Sequence, residues 1–241
     1  MSAVNAAHAA RKALEGLWPT EPFFDALEQY VALLLEANET INLTRVVEPD
    51  AVARLHLLDA LAALPLLDAL GPTNAIDLGS GGGVPGLPLA IARRSVPWTL
   101  VDSSAKKATL LRRFADELAL ANVSVRAERA ELLGRAPAHR ERYDLVTARA
   151  CAALPVLAEY ALPLLQPGGH LVAWKGPLLE NDAEVRAGNT ACALLGGGPL
   201  RLADAGHDAL GARRFVIVEK LSPTAAGFPR RPGVPARRPL G

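Results

Sequence analysis

The sequence predicts an α/β fold built on a doubly wound, mostly parallel sheet of the Rossmann-like type. Short apolar segments alternate with segments of helical periodicity between residues 75 and 174, as expected for consecutive βα units. The first apolar segment ends in a cluster of glycines, which is typical of a buried strand that turns into a helix. Half of the 241 residues are hydrophobic, which is enough for one such domain with an N-terminal helical extension.

The chain divides into three predicted regions. Residues 1–70 form a helical extension packed on the main domain, residues 71–221 form the α/β domain, and residues 222–241 form a basic, proline-rich tail. Within the extension, apolar residues at helical spacing predict helices over residues 23–35 and about 50–67. The second of these helices is punctuated by proline.

The central region is expected to contain five parallel strands and the helices between them. The predicted strands cover residues 75–78, 98–102, 123–125, 143–147 and 170–174. The predicted helices cover residues 87–94, 105–121 and 154–165. A later strand over residues 213–219 is predicted to form a hairpin with about residues 200–203, which adds an antiparallel edge to the sheet.

Neither a membrane segment nor a secretion signal is expected. The chain has no run of about 18 consecutive apolar residues, and the alanine-rich residues 6–13 lack the basic and apolar segments of a signal peptide. The two cysteines, Cys151 and Cys192, have no spacing typical of a disulfide framework or a metal site. We therefore predict a cytoplasmic protein without a membrane partner or a bound metal.

The glycine loop after the first strand predicts close contact between a ligand and the backbone. Glycines occupy positions 79, 81, 82 and 83, where they permit positive φ and remove the Cβ atoms that would hold a nucleotide away. A dinucleotide fingerprint that begins at Gly79 needs its third glycine at position 84, which is Val84. A literal G-x-G-x-x-G begins at Gly81, away from the strand end, and contains Pro85. The alternative is a tight turn that binds no ligand.

The acid at the end of this strand indicates which nucleotide is bound. Asp77 precedes Gly79, Gly81 and Gly83, and its carboxylate would repel a pyrophosphate but attract an ammonium and a sulfonium. S-adenosylmethionine carries both groups. The acid-x-Gly-x-Gly-x-Gly pattern resembles the first motif of class I methyltransferases.

Three further positions follow predicted strands and therefore lie at the same edge of the sheet. Asp102 lies about 20 residues after the glycines, where a carboxylate can accept hydrogen bonds from both ribose hydroxyls in either NAD or S-adenosylmethionine folds. Ala130 and Glu131 follow the third strand, where they either contact adenine or cap the next segment. Arg149 follows the fourth strand and is either a clamp on cofactor or substrate or an ion-pair partner of a loop carboxylate.

Charge is unevenly distributed although the net charge is only +1. Residues 1–50 contain eight acidic and three basic residues, whereas residues 220–241 contain five basic residues and no acidic one. The tail is predicted to be extended. Its arginines can pair with the phosphates of a polyanion, and the alternative is a solvated tail without function. These arginines are Arg230, Arg231, Arg237 and Arg238.

Several motifs in one order resemble the bacterial small-subunit ribosomal RNA methyltransferase G family, also called glucose-inhibited division protein B. The motifs are Asn42-Leu43-Thr44, His56-Leu57-Leu58-Asp59, the segment 77–89, Asp102-Ser103, Ala148-Arg149-Ala150, Lys175-Gly176 and Pro229-Arg230-Arg231-Pro232-Gly233. The likeness extends from about residue 42 to 240. It implies methylation of N7 of one guanine, position 527 in the 530 loop of 16S rRNA. The implied partner is 16S rRNA, the small subunit or an assembly intermediate, and we expect the protein to be a monomer.

The resemblance also implies which residues contact the cofactor S-adenosylmethionine. These are Gly79 and Val84, the Asp102-Ser103 edge, Ala130-Glu131 and Arg149. Candidate RNA contacts are Lys175, His56 and the four tail arginines, although a histidine on such a helix is more often a packed residue. Guanine N7 carries no proton, so no catalytic acid or base is expected. Arg149 and Lys175 are then positioning candidates, directed at a phosphate, at O6 or at the cofactor carboxylate.

Two other functions remain open from the sequence. An NAD(P)-dependent oxidoreductase shares the glycine loop and the acid at the end of the second strand. A noncatalytic module that binds RNA or the ribosome could retain the same nucleotide fold.

Overall fold

A computed structural model describes residues 2–18 and 23–241 and contains one seven-stranded sheet. The strand order is β3-β2-β1-β4-β5-β7-β6, with β1 to β5 parallel and β6 and β7 antiparallel. The strands are β1 Ala75–Leu78, β2 Trp98–Val101, β3 Val123–Arg126, β4 Tyr143–Arg149, β5 Leu165–Lys175, β6 Arg201–Asp204 and β7 Arg214–Glu219. The predicted doubly wound sheet with an antiparallel edge is confirmed.

Helices cover both faces of this sheet. They are α1 Ala3–Glu15, α2 Phe24–Asn38, α3 Pro49–Val52, α4 Asp59–Leu61, α5 Leu64–Leu70, α6 Gly86–Ala92, α7 Ala105–Glu117, α8 Ala130–Leu133, α9 Leu154–Ala161, α10 Ala183–Leu194 and α11 Val234–Arg237. On one face, α1 to α7 bury their apolar side chains in a single core with the sheet. On the other face, α8, α9 and α10 enclose a second core. Every residue of β1 is buried because this strand lies between both cores.

Helix α1 lies within the predicted helical extension, in a segment where the sequence pattern located no individual helix. Its N-cap Ser2 accepts a hydrogen bond from the Asn5 N–H, and alanine is the strongest helix former. Ala6, Ala7 and Ala10 are buried, so this face of α1 approaches α2 and α3 closely. An alanine-rich segment carries a weak apolar signal, and only packing against the neighbouring helices reveals its role.

The segment predicted as one helix from about residue 50 to 67 is divided into several parts. A π-helix, Ala53–Leu58, separates α3 from α4, and α5 begins afterwards with Pro65 in its first turn. Proline is tolerated there because the first N–H groups of a helix have no intrahelical acceptor. The π-helix carries His56 and is followed directly by Asp59, so this irregular turn sets the orientation of both side chains.

The prediction of an extended C-terminal tail is wrong. Residues 234–237 form α11, and Phe228 and Leu240 pack against the second core. Arg140 donates hydrogen bonds to the carbonyls of Phe228, at 2.7 Å, and Thr224, at 2.6 Å. Proline content predicted an extended chain, but these tertiary contacts fold the segment onto the domain. Within the described ranges, none of the helices has the length and apolar character needed to cross a bilayer.

Candidate functional site

The carboxyl ends of β1, β2 and β4 enclose a cleft with two cavities. The Asp102 cavity has a volume of about 320 Å³ and extends from Asp102 and Ser103 to Tyr160. The His56 cavity has a volume of about 280 Å³ and contains Thr44, His56, Arg149 and the glycine loop among its walls. Gly79, Lys107 and Ala150 line both cavities, so a ligand that fills one reaches the boundary of the other.

Glycine is required in the loop between β1 and α6. Gly79, Gly81 and Gly83 have φ of +69°, +57° and +106°, which favours glycine because a Cβ is strained there. A Cβ on Gly83 would also lie 2.5 Å from Leu87 Cδ1. Tyr30 Oη donates a 2.9 Å hydrogen bond to the Gly82 carbonyl, so α2 fixes the loop from behind. Residues 79–82 of the loop line the His56 cavity, and Val84 lines it at the end of the loop.

Asp77 does not reach either cavity. Its side chain is fully buried beneath the loop, and its Oδ1 accepts a 2.7 Å hydrogen bond from Thr147 Oγ1. Within the described residues, Oδ2 has no well-formed hydrogen bond. Burial raises the pKa of Asp77 to about 6, although the hydrogen bond from Thr147 opposes the increase. The sequence predicted a direct contact with the ligand, whereas the structure places this charge behind the glycine loop.

Asp102 lies at the cleft, as its position after β2 predicted. Its Oδ2 accepts a 3.0 Å hydrogen bond from the Gly81 N–H and its Oδ1 accepts one of 2.8 Å from the Ser104 N–H. Asp102 and Ser103 both line the Asp102 cavity. Each carboxylate oxygen retains a second acceptor position. The carboxylate thus fixes the glycine loop and can still accept a hydrogen bond from a hydroxyl of a ligand.

Glu131 joins the wall of the cleft to the C-terminal segment. Ala130 and Glu131 line the Asp102 cavity at the start of α8. The Glu131 carboxylate is buried and accepts a 2.8 Å hydrogen bond from the Gly233 N–H. The sequence left open a contact with adenine or a cap of the next segment. The carboxylate therefore holds the tail, and the contact of Ala130 and Glu131 with adenine stays a prediction.

Arg149 forms an ion pair with the helical extension. Its guanidinium donates to the Leu55 carbonyl at 2.6 Å and to Asp59 Oδ2 at 2.9 Å. Asp59 is fully buried, and its Oδ1 lies 2.6 Å from Nε of Arg213. Of the two roles that the sequence left open for Arg149, the structure shows the ion pair, although its partner Asp59 lies on α4 and not on a loop. Arg149 also lines the His56 cavity, so its predicted contact with the cofactor stays a prediction.

His56 is buried at the base of the second cavity. Its Nε2 lies 2.9 Å from Thr44 Oγ1, and Arg149 approaches its Nδ1 at 3.3 Å. Burial, followed by the positive charge of Arg149, lowers the pKa of His56 to about 4. The imidazole is therefore neutral near pH 7, so an electrostatic contact between His56 and an RNA phosphate is not supported.

The other predicted RNA contacts lie outside both cavities, within the described chain. Lys175 Nζ is bound to Glu184 at 2.7 Å and to the Ala152 carbonyl at 2.9 Å. Arg230 forms hydrogen bonds of 2.5–3.0 Å with the buried carboxylate of Glu159. The arginines at positions 231, 237 and 238 are exposed. Only these three tail arginines present their guanidinium groups to solvent.

The structure adds cleft residues that the sequence pattern did not indicate. Thr44 lines the His56 cavity, and Lys107 of α7 lines both cavities. Lys107 has no ion-pair partner within residues 2–18 and 23–241. Arg45 and Arg54, each within two residues of a cleft residue, are exposed. The sequence feature that could have indicated Lys107 is its position in the first turn of α7, directly after β2, because this turn lies at the carboxyl edge of the sheet.

The side chains of the cleft suit binding and orientation more than proton transfer. His56 is neutral with its pKa near 4, and burial raises the pKa of the Cys151 thiol to about 11. Neither group exchanges a proton readily near pH 7. Gly79, Asp102 and residues 130–131 line the Asp102 cavity, where the sequence predicts a nucleoside, and the His56 cavity adjoins it.

A model of one protein family matches most of the chain. The family is described as rRNA small subunit methyltransferase G, and the match covers residues 24–210. This range includes the glycine loop, every strand of the sheet except β7, and every residue that lines the two cavities.

Curated relatives carry the same description. A ribosomal RNA small subunit methyltransferase G from Deinococcus deserti is 44% identical over 220 residues, which cover 91% of this chain and 89% of the relative. A protein of the same description from Deinococcus radiodurans is 43% identical over 224 residues, covering 91% of this chain and 86% of the relative.

A solved structure with the same fold is the geranyl diphosphate C-methyltransferase from Streptomyces coelicolor, in complex with Mg²⁺, geranyl diphosphate and S-adenosyl-L-homocysteine. Its TM-score is 0.53 at 18% identity, and the match covers 77% of this chain and 88% of that chain. At this identity the likeness is one of fold.

Proposed function

Because this chain belongs to the rRNA small subunit methyltransferase G family, we propose that it methylates N7 of one guanine of 16S rRNA, position 527 in the 530 loop. The chain is an S-adenosylmethionine-dependent methyltransferase, and small-subunit rRNA is its substrate. Family membership favours this activity over an NAD(P)-dependent oxidoreductase and over a noncatalytic RNA-binding module. The atom, the nucleotide and the mechanism belong to the proposal.

The observation that carries the proposal is the shared boundary of the two cavities at Gly79 and Ala150. We place the adenosine in the Asp102 cavity, with its ribose on Asp102 and its adenine beside the backbone of residues 130–131. The methionyl part of S-adenosylmethionine then lies along Gly79 and Gly81, and the target base enters the His56 cavity. This arrangement brings a methyl donor and a methyl acceptor to one boundary.

In-line transfer of the methyl group needs no general base. Guanine N7 has a lone pair in the plane of the ring and carries no proton, so the enzyme has to align N7, the methyl carbon and the sulfonium sulfur. Alignment of this kind can lower the barrier by ~7–11 kcal/mol. The ring gains positive charge as the sulfur loses it, and a neutral His56 avoids opposing that charge.

The RNA presents the guanine from an unpaired or extruded position, because a base inside a helix cannot enter a cavity. Phosphates near the cleft are bound by the exposed Arg45 and Arg54, and those farther away by Arg231, Arg237 and Arg238. Arg230 and Lys175 keep their partners Glu159 and Glu184 and serve the fold. The protein acts on this RNA as a monomer.

The test supplies the full chain with tritiated S-adenosylmethionine and two substrates, deproteinised 16S rRNA and small subunits that lack the modification. Nuclease digestion and mass spectrometry should place one methyl on guanine 527 of whichever substrate is accepted. A 16S rRNA with 7-deazaguanine at position 527 should accept no methyl, whereas 7-deazaguanine at a neighbouring guanine should leave transfer unchanged. A methyl at another nucleotide, or transfer to the 7-deaza position, would overturn the proposal.

A further inference from the structure

Ala150 has a backbone conformation that L-amino acids rarely adopt. Its φ is +51°, in the left-handed region where a Cβ crowds the following carbonyl oxygen. Glycine would occupy this position without strain. Strained residues persist only where the surrounding structure holds them, and they cluster at functional sites. The alanine methyl group at this position therefore needs an explanation.

The chain is fixed on both sides of Ala150. Arg149 is the last residue of β4, and its guanidinium donates a 2.9 Å hydrogen bond to Asp59 Oδ2. On the other side, the Ala152 carbonyl accepts a 2.9 Å hydrogen bond from Lys175 Nζ. Because both neighbouring segments are held, the turn between them is made at Ala150 and its positive φ is maintained.

The turn at Ala150 distributes three consecutive residues between the two cavities. Arg149 lines the His56 cavity and Cys151 lines the Asp102 cavity. Ala150, between them, lines both cavities and is exposed in the cleft. The backbone therefore passes from one cavity to the other at this residue.

The loop after β4 packs directly against the glycine loop at the same place. Gly79 also lines both cavities, and a Cβ placed on it would lie only 3.1 Å from Cys151 Sγ. A side chain at position 79 would thus push the two loops apart. The cavities meet where Ala150 and Gly79 lie close together.

We propose that Ala150 is a positioning residue for methyl transfer: its methyl group contacts both the methyl donor and the target base, and its fixed backbone sets their separation. The inference rests on the proposed function, which places S-adenosylmethionine in one cavity and the base in the other. In-line transfer needs reacting atoms ~3–3.5 Å apart, and a misplacement of about 1 Å can lower the rate about 100-fold.

Ala150→Gly removes the methyl group and releases the backbone. Each ligand retains the other walls of its cavity, so the affinity for S-adenosylmethionine in calorimetry and KM for the RNA should stay within about 3-fold of the wild type. The single-turnover rate of methyl transfer at saturating ligands should fall at least about 10-fold, because the reacting atoms are less well aligned. The urea midpoint should not fall, since the relieved strain offsets the added freedom of the unfolded chain.

Ala119→Gly is the matched control. Ala119 is exposed, as Ala150 is, and has φ of +49°. It follows α7, a helix of 13 residues and therefore about 20 Å long, which begins at the cleft. This variant should not fall in urea midpoint either, and its transfer rate should equal that of the wild type. A fall of less than about 10-fold in Ala150→Gly, or an equal fall in Ala119→Gly, would overturn the inference.

A second measurement decides the matter even if Ala150→Gly does not fold. In a crystal of the full chain soaked with S-adenosylmethionine, the transferable methyl carbon should lie within about 4.5 Å of Ala150 Cβ. A methyl carbon beyond this contact distance would overturn the inference. Failure of the proposed function is distinguishable, because mass spectrometry would then place the wild-type methyl away from N7 of guanine 527, and the rate ratio could still be measured at the modified site.

Discussion

Glu131 accepts a 2.8 Å hydrogen bond from the Gly233 N–H and so connects the C-terminal segment to the wall of the Asp102 cavity. The segment is held a second time, because Arg230 binds the buried carboxylate of Glu159. A region that composition alone assigns to an extended, solvated chain is therefore part of the support of the cofactor cleft. Its two kinds of arginine, paired and exposed, should respond differently to substitution.

Arg230→Gln should destabilise the fold, whereas Arg231→Gln should not. Removing Arg230 leaves the buried carboxylate of Glu159 without its cation, which should lower the free energy of unfolding by about 3 kcal/mol. This value is at the low end for a broken buried ion pair, because Arg230 is partly exposed. Arg231 is exposed, so its loss should change the free energy of unfolding by less than about 0.5 kcal/mol. Urea denaturation of both variants measures the difference. Equal stabilities would mean that the Arg230 pair contributes nothing.

Gly81→Ala should lower both stability and cofactor affinity, and Gly71→Ala provides the matched control. The two glycines have φ of +57° and +60°, so alanine at either position costs about 1 kcal/mol of stability. Gly71 ends α5, away from both cavities, and its variant should bind S-adenosylmethionine normally. Calorimetry should show S-adenosylmethionine binding at least about 10-fold more weakly to Gly81→Ala than to the wild type, and no such loss for Gly71→Ala. Similar affinities would show that backbone strain, and not cofactor contact, explains the glycine.

Asp77→Asn should change how stability depends on pH. Burial raises the pKa of Asp77 from 3.8 to about 6 in the folded chain. The folded state then binds more protons than the unfolded state between these values, so this carboxyl reduces stability as the pH rises from about 4 to about 6. The variant should gain up to about 3 kcal/mol over the wild type across that window. Asp116→Asn, at an exposed position, should show no such gain.

The same Asp77 variant tests the predicted attraction for the cofactor. A negative charge behind the loop still attracts the ammonium and sulfonium of S-adenosylmethionine through the protein interior. Calorimetry should therefore show weaker binding by Asp77→Asn at pH 8, where the wild-type carboxyl is ionised. Unchanged affinity would remove Asp77 from the binding site and leave it a structural role.

Lys107→Ala should weaken RNA binding more than Lys106→Ala. Lys107 lines both cavities at the mouth of the cleft, whereas the neighbouring Lys106 is exposed and lines neither. A phosphate of the target nucleotide would pass this ammonium, so its removal should reduce the slope of log Kobs against log salt by about 0.7. Filter binding at several salt concentrations measures the slope. Equal slopes for the two variants would mean that Lys107 does not contact an RNA phosphate.

Local pattern was sufficient for the fold and for part of the site. The run 75–78 followed by glycines predicted a buried strand and a ligand loop, and Asp102 was predicted at the same edge from its spacing alone. Both inferences depend on residues close in sequence, where strand and turn preferences act directly. The helix over residues 3–15 was not located because an alanine-rich helix has a weak periodic signal, and the π-helical form of residues 53–58 was not predicted within the helix expected there.

The sequence by itself determined the parallel sheet, the glycine loop and the class of ligand, because these follow from the order of apolar, glycine and acidic residues along the chain. Only the tertiary structure decided that Asp77 is buried, that Arg149 pairs with Asp59 and that Arg230 pairs with Glu159. The paired residues lie 90 and 71 positions apart. Contacts at such separations depend on how helices dock on the sheet, and no local periodicity encodes that docking.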